Sequence, residues 1–322
     1  MPRQSSGPDL IAQIRRAAFD LRDENPPKAA QALRRLLKDA GPAEPLVRGA
    51  LGEILLEDLD DADGALHEFR RLIALAPSLP AGHLGLGRAL ARTGERREAS
   101  KELALARVGF VELAERARHK PDDEPEGADE ALLTALEIAV EEHGLDLDDW
   151  APPVFDLALF AWAEDTRLFD AEDGSDTDDW ERYGSLRVVI DGLNGGLEAA
   201  LAVAERIADR APLPEPRRRH LRSIAYEEAQ RWSEAAAQAL AATSDLDRSF
   251  VAEEVLRAIS LLARAGDAAH ARELLERLRA RLETDRESAD EAGQTRIDEL
   301  LESASASLAG VDPLVPLGVR GK

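Results

Sequence analysis

The chain has 322 residues, with 41 basic and 64 acidic side chains, which give a formal net charge of −23. It has no cysteine, which excludes disulfide scaffolds, cysteine-based zinc sites, iron–sulfur sites and thiol nucleophiles. A pI near 4.7 argues against a protein that grips the nucleic-acid backbone with a basic face, and an apolar fraction of 44% argues against a wholly disordered chain.

The first twenty residues contain no apolar run typical of a secretory signal. No segment approaches the roughly 18 uncharged apolar residues that a membrane span requires. We therefore expect a cytoplasmic protein that has no membrane partner.

Apolar residues recur three and four positions apart along the N-terminal part, which predicts successive pairs of antiparallel helices. The predicted pairs are Ile14–Leu21 with Ala29–Leu33, Leu51–Leu55 with Ala65–Leu72, and His83–Leu90 with Ala99–Ala106. Ala65 and Ala99 occupy equivalent places and lie 34 residues apart. Small residues such as Gly87 and Ala99 let two helices approach closely, and Gly94 suits a left-handed turn between them.

The negative charge is concentrated between residues 121 and 183. This segment holds 22 acidic and two basic residues, a charge of −20, whereas the other 259 residues hold 42 acids and 39 bases. It also holds seven of the 13 aromatic residues: Trp150, Phe155, Phe160, Trp162, Phe169, Trp180 and Tyr183. The sequence therefore predicts a nearly neutral helical body that is interrupted by an acidic, aromatic-rich insert.

Two helices and two loops are predicted inside this insert. One helix runs from Asp129 to about His143, and the other starts at Pro152–Pro153 and continues to Leu168. Residues 121–127 and 170–181 are predicted to be solvated acidic loops.

Helix pairs resume after the insert. They are predicted within Arg187–Asp209, with Gly192 to Gly196 as a turn between two helices, then within Leu221–Ala239, and within Val255–Leu278 with a turn at Gly266. A capping helix that contains Ile297, Leu300, Leu301 and Leu308 would precede the tail. The predicted divisions are residues 1–120 (first repeat block), 121–183 (insert), 184–310 (second block with its cap) and 311–322 (tail).

The spacing strongly resembles the tetratricopeptide repeat, a helix–turn–helix of 34 residues that stacks into a right-handed superhelix. The resemblance covers residues 10–118 and 186–282, with His83 where the family usually has a bulky aromatic residue. It implies an all-α solenoid with three repeats in each block. It also implies a non-enzymatic protein that binds a peptide or partner helix, for which no cofactor is expected.

Proteins of this family bind their ligands on the concave surface that is lined by the first helix of each pair. Helical projection places these residues on that surface: Arg15, Phe19, Arg22, Glu53, Leu56, Leu84, Arg88 and Arg92 in the first block, and Leu256, Ser260 and Arg264 in the second. The arginines would favour an acidic, carboxylate-bearing partner through bidentate hydrogen bonds. The alternative is that they are exposed groups that keep the protein soluble.

Other candidate sites have weaker support. Asp173, Asp176, Asp178, Asp179 and Glu181 suggest a calcium loop, but the EF-hand register would make Phe169 the first ligand, so a solvated loop is favoured over a nonspecific divalent site. None of the six histidines belongs to a zinc-protease motif, and we expect no catalytic or metal role for them. The cluster from Arg217 to Arg222 is too short for a nucleic-acid patch and favours a charged helix face or a docking point for the protein's own acidic insert.

The sequence leaves three functions open. The first is an adaptor that holds a partner peptide or helix on the concave face. The second is a regulatory protein whose acidic insert inhibits that groove or binds a basic partner by mimicking nucleic acid. The third is an enzyme, which would need a compact catalytic site that the sequence does not contain.

Overall fold

The computed structural model describes residues 7–119, 127–166, 168–169, 178–211, 213–243, 248–286, 294–295, 297–298 and 300. Every regular element among these residues is helical, which confirms the predicted all-α class. None of the helices in these ranges has the length and apolar composition needed to cross a membrane.

The chain forms two compact units, residues 1–151 and residues 152–322. The helices of the first unit are α1 (Gly7–Ala18), α2 (Asp20–Glu24), α3 (Pro26–Leu36), α4 (Glu44–Glu53), α5 (Ala62–Leu75), α6 (Pro80–Arg92), α7 (Arg96–Arg118) and α8 (Ala128–Gly144). Those of the second unit are α9 (Leu157–Asp165), α10 (Asp178–Arg210), α11 (Glu215–Glu228), α12 (Trp232–Ala242), α13 (Arg248–Arg264) and α14 (Ala268–Arg286).

Successive helices of the first unit pack against one another from α3 to α8, as expected of stacked helix pairs. The turn predicted at Gly94 is confirmed. Gly94 has φ +85° between α6 and α7, a left-handed conformation that glycine adopts without a steric penalty. Asp61 begins α5 by accepting a hydrogen bond from the Gly64 amide at 2.9 Å, and Asn25 begins α3 in the same way. The helix pairs confirm the resemblance to tetratricopeptide repeats at the level of the fold.

A single aromatic ring holds three helices of the first unit together. Phe69 of α5 is 1% exposed, and its ring occupies the space that two glycines leave open. A Cβ on Gly52 of α4 would lie 2.8 Å from the ring, and a Cβ on Gly85 of α6 would overlap it. Gly87 likewise brings α6 close to Leu103 of α7, as the sequence predicted. Small residues therefore set the distance between neighbouring helices here.

The first helix of the acidic segment is part of the first unit. Helix α8 matches the predicted helix to within one residue at each end, and it packs along α7. Most of its side chains are buried, including the 2% exposed Glu142, which pairs with Arg107 of α7 at 3.0 Å. Burial raises the pKa of Glu142, and the charge of Arg107 opposes that rise.

The second predicted helix of this segment starts later than expected, and it ends at Asp165 rather than at Leu168. Helix α9 begins at Leu157, because Asp156 caps it by accepting a hydrogen bond from the Ala158 amide at 2.9 Å, and Pro152 and Pro153 precede it in non-helical backbone. The loop predicted over residues 170–181 is also shorter than expected at its end, since α10 starts at Asp178. Residues 170–177 and 121–126 of the predicted loops lie outside the described residues.

Helix α10 is two helices joined at a break. Gly196 has φ +70° and ψ −167°, so the chain turns there, as predicted for the glycines from Gly192 onward. The helix also runs across the predicted boundary between residues 183 and 184.

Five of the seven aromatic residues of the acidic segment form a buried cluster in the second unit. Phe169 stacks on Tyr183 with a centroid distance of 4.4 Å, and Trp180 meets Phe169 edge-on at 5.5 Å. Phe155 and Phe160 add to this cluster at 5.5 Å from each other. All five side chains are at most 8% exposed. Their role is therefore to stabilise the second unit.

The remaining helix pairs of the second unit follow the predicted pattern. Helices α11 and α12 pack together, and so do α13 and α14, with Gly266 at φ +84° in the last turn. Ile297 and Leu300 of the predicted capping helix are buried in the apolar core formed by α12, α13 and α14. Leu301, Leu308 and the tail lie outside the described residues.

Candidate functional site

The candidate site is the outward face of the first helices of each pair in the first unit, hereafter the first-helix surface. It comprises α1 with α2, α4, α6 and the next helix in this stack, α8. On α6 the predicted residues Leu84, Arg88 and Arg92 follow one another at four-residue intervals, opposite the buried Leu86 and Leu90.

Arg22 links the first two helices of this surface. Its Nε donates a hydrogen bond to Asp58 Oδ2 at 2.6 Å, and its guanidinium lies 4.0 Å from Glu53. Asp58 lies in a π-helical turn, Ile54–Asp58, that extends α4 and is closed by the Leu59 amide donating to the Ile54 carbonyl at 3.1 Å. Such turns often mark functional or strained positions.

Arg92 connects α6 to the same π-helical turn. Its guanidinium donates to the Leu56 carbonyl and to Glu57, each at 2.8 Å, and lies 3.4 Å from Asp60. The Leu56 side chain is 2% exposed, so the prediction that it faces the surface is wrong. Three consecutive apolar residues, Ile54 to Leu56, turn inward here because the wider π-helical turn brings all three to the core.

Arg88 pairs with the acidic segment. Its Nε lies 3.1 Å from both carboxylate oxygens of Glu141 in α8, and a second nitrogen donates at 2.5 Å. Burial alone would lower the pKa of Arg88, but the hydrogen bonds and charge of Glu141 outweigh burial and raise it. A residue predicted to receive a partner's carboxylate thus holds one from its own chain.

Glu53 lies next to these ion pairs. Among the described residues, no arginine donates a short hydrogen bond to its carboxylate. The surrounding protein desolvates its carboxylate and raises its pKa, and Arg22 and Arg88 act against that rise. The side chain is nevertheless 59% exposed, so water weakens both the desolvation and the attraction to the two arginines. Glu53 is therefore accessible to a partner.

The N-terminal end of the first-helix surface differs from the rest. The Phe19 side chain is 65% exposed at the break between α1 and α2. Arg15 and Arg16 lie beside it, and within the described ranges neither forms an ion pair. Together with Ala12 and Asp20, these three residues line an open depression of about 320 Å³. This end offers an aromatic ring and two available guanidiniums.

Leu84 and the three candidate residues of the second unit contact other side chains of the protein. Leu84 is half-buried against the core of the first unit. Ser260 is 7% exposed and therefore does not line a surface as predicted, and Leu256 packs partly against the core. Arg264 lies over the Trp232 ring, 5.0 Å from its centroid, in a cation–π contact.

The second unit contains a buried charge network that the sequence did not predict. His220 of α11 lies 2.5 Å from Glu254 of α13 through Nδ1 and 4.0 Å from Glu181 of α10 through Nε2. Arg257 of α13 donates to Glu227 of α11 at 2.6 Å. His220 therefore joins helices from three successive pairs. The only sequence signal that could have indicated this network is the position of His220 inside an arginine-rich stretch.

The arginines beside His220 also find carboxylates within the chain. Arg217 pairs with Asp178 at 2.7 Å and with Glu181, both of which belong to the acidic segment 121–183. Arg222 pairs with Glu205 at 2.6 Å. The prediction that this basic cluster docks acid from the insert is thus confirmed for Arg217.

A second buried group surrounds Glu164 of α9, which is 5% exposed. Tyr183 donates to it at 3.1 Å, and Arg187 donates to Tyr183 at 2.9 Å while covering the Phe160 ring at 3.5 Å. Burial raises the pKa of Tyr183, which keeps the phenol protonated as the donor. Among the described residues, no group of three or more His, Asp or Glu side chains is arranged to hold a metal ion.

Comparison with known proteins supports no closer assignment. No protein-family model matches the chain, and no curated protein matches it. Among solved structures, a tetratricopeptide repeat protein from Parabacteroides merdae is 12% identical and aligns over 92% of this chain and 99% of its own, with a TM-score of 0.48. The assembly chaperone of RpL4 is 16% identical over 95% and 98% of the two chains, with a TM-score of 0.40. The TPR2AB domain of yeast Sti1, in a complex with pHSP90, is 17% identical over 80% and 97%, with a TM-score of 0.28.

Proposed function

We propose that the chain is a non-enzymatic protein-interaction module that holds a peptide or helix of a partner protein on the first-helix surface of the first unit. The observation that carries this proposal is the exposed Phe19 ring beside Arg15 and Arg16 at one end of that surface. Aromatic side chains, including phenylalanine, and arginine are enriched at protein interfaces relative to the rest of the surface.

The ion pairs on this surface decide which of its arginines are available to bind a partner. Arg22, Arg88 and Arg92 already satisfy carboxylates from neighbouring helices, so a partner's acid would have to displace an internal one. Charge reversal at Arg88 or Arg92 would break contacts between helices and is not a clean test of binding. Phe19 and Arg15 can be changed without losing any ion pair of the described chain.

The test is quantitative capture from native lysate followed by mass spectrometry. We expect Phe19→Ala with Arg15→Glu to reduce recovery of the specific partner by about tenfold or more, as for an interface anchor. The matched control is Leu157→Ala, which truncates a side chain of 72% exposure in the second unit. Equal recovery by the double variant and the control would refute a role for this end of the surface.

A regulatory function is the second candidate, and the bidentate contact between Arg88 and Glu141 favours it. Glu141 belongs to the acidic segment, so this segment occupies an arginine that a partner's carboxylate could otherwise use. Deleting residues 121–183 would remove core side chains of both units, and a point substitution is therefore the sharper test.

Glu141→Gln should strengthen binding of an acidic partner if the contact is inhibitory. Asp148→Asn, at an exposed position of the same segment, is the control with the same change in charge. Unchanged or weaker binding by Glu141→Gln would identify the contact as purely structural.

A further inference from the structure

The outward stripe of helix α7 departs from the polar composition expected of a solvent-facing helix side. Its inner side is buried through Ala99, Leu103 and Ala106, whereas Leu105 and Val108 on the outer side are 54% and 51% exposed. Leu105 and Val108 thus form a short exposed apolar strip on the outer side of α7.

Charged residues of opposite sign flank this strip. Lys101 lies one turn before Leu105 and is 74% exposed, and Glu112 lies one turn after Val108 and is 63% exposed. The intervals from 101 to 105, 108 and 112 are four, three and four residues, the spacing by which one helix contacts another along a shared seam. At 100° per residue, the four side chains fall within about 60° of one another.

We propose that this stripe is an interface with a second copy of the same chain, in which the two α7 helices pack antiparallel. A twofold axis between residues 106 and 107 places Leu105 opposite Val108 of the second copy. It also places Lys101 opposite Glu112 of the second copy, and the same pair is repeated on the other side of the axis. The stripe is therefore complementary to itself, as a twofold interface requires.

Charge selects the antiparallel arrangement. A parallel pairing would set each Lys101 against Lys101 of the second copy, and each Glu112 against its own counterpart, which is repulsive. Within one chain, Lys101 lies 4.0 Å from Glu98, and Glu112 lies 3.5 Å from Arg116, in exposed intrahelical pairs. Such exposed pairs are weak and do not prevent the lysine and glutamate from turning to the second copy.

The experiment is sedimentation velocity of the full chain over a concentration series. The wild type should show a monomer–dimer equilibrium, and Lys101→Glu or Glu112→Lys alone should each raise the dissociation constant by about tenfold, because each places two like-charge pairs in the dimer. The Lys101→Glu/Glu112→Lys double variant should dimerise like the wild type. Mixing the two single variants should also yield a dimer, since every pair across that interface is again opposite in sign.

Leu105→Glu should leave the chain monomeric, with circular dichroism confirming that it folds. Lys38→Glu, at another exposed lysine, is the control and should leave the dimer unchanged. A wild type that stays monomeric throughout the series overturns the proposal. So does a dimer that none of the α7 changes affects, or a double variant that dimerises no better than the single ones.

Discussion

The packing of Phe69 between two glycines makes a prediction that can be worked in free energy. Truncation by Phe69→Ala removes a fully buried ring and should cost about 3–5 kcal/mol of unfolding free energy. Gly85→Ala should have two opposing effects on the unfolding free energy when the Phe69 ring is present. Overlap with the ring costs about 1–3 kcal/mol, and the better helix propensity of alanine returns about 1 kcal/mol.

The decisive quantity is the coupling between the two sites. Once Phe69→Ala has removed the ring, the new Cβ at position 85 no longer overlaps it, and only the propensity gain remains. Gly85→Ala should then be neutral or stabilising, which corresponds to a coupling energy of about 1–3 kcal/mol. A Cβ on Gly52 would lie 2.8 Å from the same ring, so Gly52→Ala should show a coupling energy of the same sign with Phe69→Ala.

Urea unfolding of the wild type, both single variants and the double variant, followed by far-ultraviolet circular dichroism, measures this cycle. Trp162, Trp180 and Trp232, three of the four tryptophans, lie in the second unit, so tryptophan fluorescence provides an internal reference that should change little. If Gly85→Ala has the same cost with and without the ring, the ring does not occupy that space and the reasoning fails.

Three further predictions concern charge and turns. Desolvation by the surrounding protein and the charge of Glu227 raise the pKa of Glu228 to about 7, so its ionisation opposes folding. Glu228→Gln should therefore raise Tm above pH 7 and lose this advantage below the ordinary glutamate pKa. The rise in Tm should be small, because Glu228 is exposed and water screens the effect. An advantage that grows toward low pH would contradict this sign. His220→Ala should cost about 3–5 kcal/mol in urea unfolding because Glu254 loses its closest partner in a buried site, and a cost under about 1 kcal/mol would show that water already solvates it. Gly94→Ala should cost about 1–2 kcal/mol because alanine is strained at φ +85°, and equal Tm values would argue for a different turn.

Much of the helix pairing could be predicted from the sequence because the signals are local. Gly94 and Gly266 mark turns whose left-handed backbone depends on a single residue, and the apolar face of α8 repeats over four helical turns. The start of α9 was placed too early because prolines fit both a first helical turn and an extended approach to one. Only the hydrogen bond from the Ala158 amide to Asp156 decides between them.

The candidate site was predictable only in part, because helical projection assigns a face but not a partner. Arg15 and Phe19 lie exposed, yet Arg88 meets a carboxylate that is 53 residues away in the chain. No spacing rule links two residues so distant, since their separation depends on how α6, α7 and α8 stack. The inward turn of Leu56 has a similar origin in the π-helical turn.

The sequence alone determined that this protein is a series of paired helices and that its negative charge belongs chiefly to residues 121–183. Periodicity, turn glycines and residue counts determine these properties without long-range contacts. Only the tertiary structure decided what that segment does in the fold. Five of its aromatic side chains become a buried cluster in the second unit, and Glu141, Glu142 and Glu181 become partners of arginines on other helices. The reason is that burial and ion pairing depend on which helix faces contact each other. These contacts are determined by how helices that are distant in the sequence pack together.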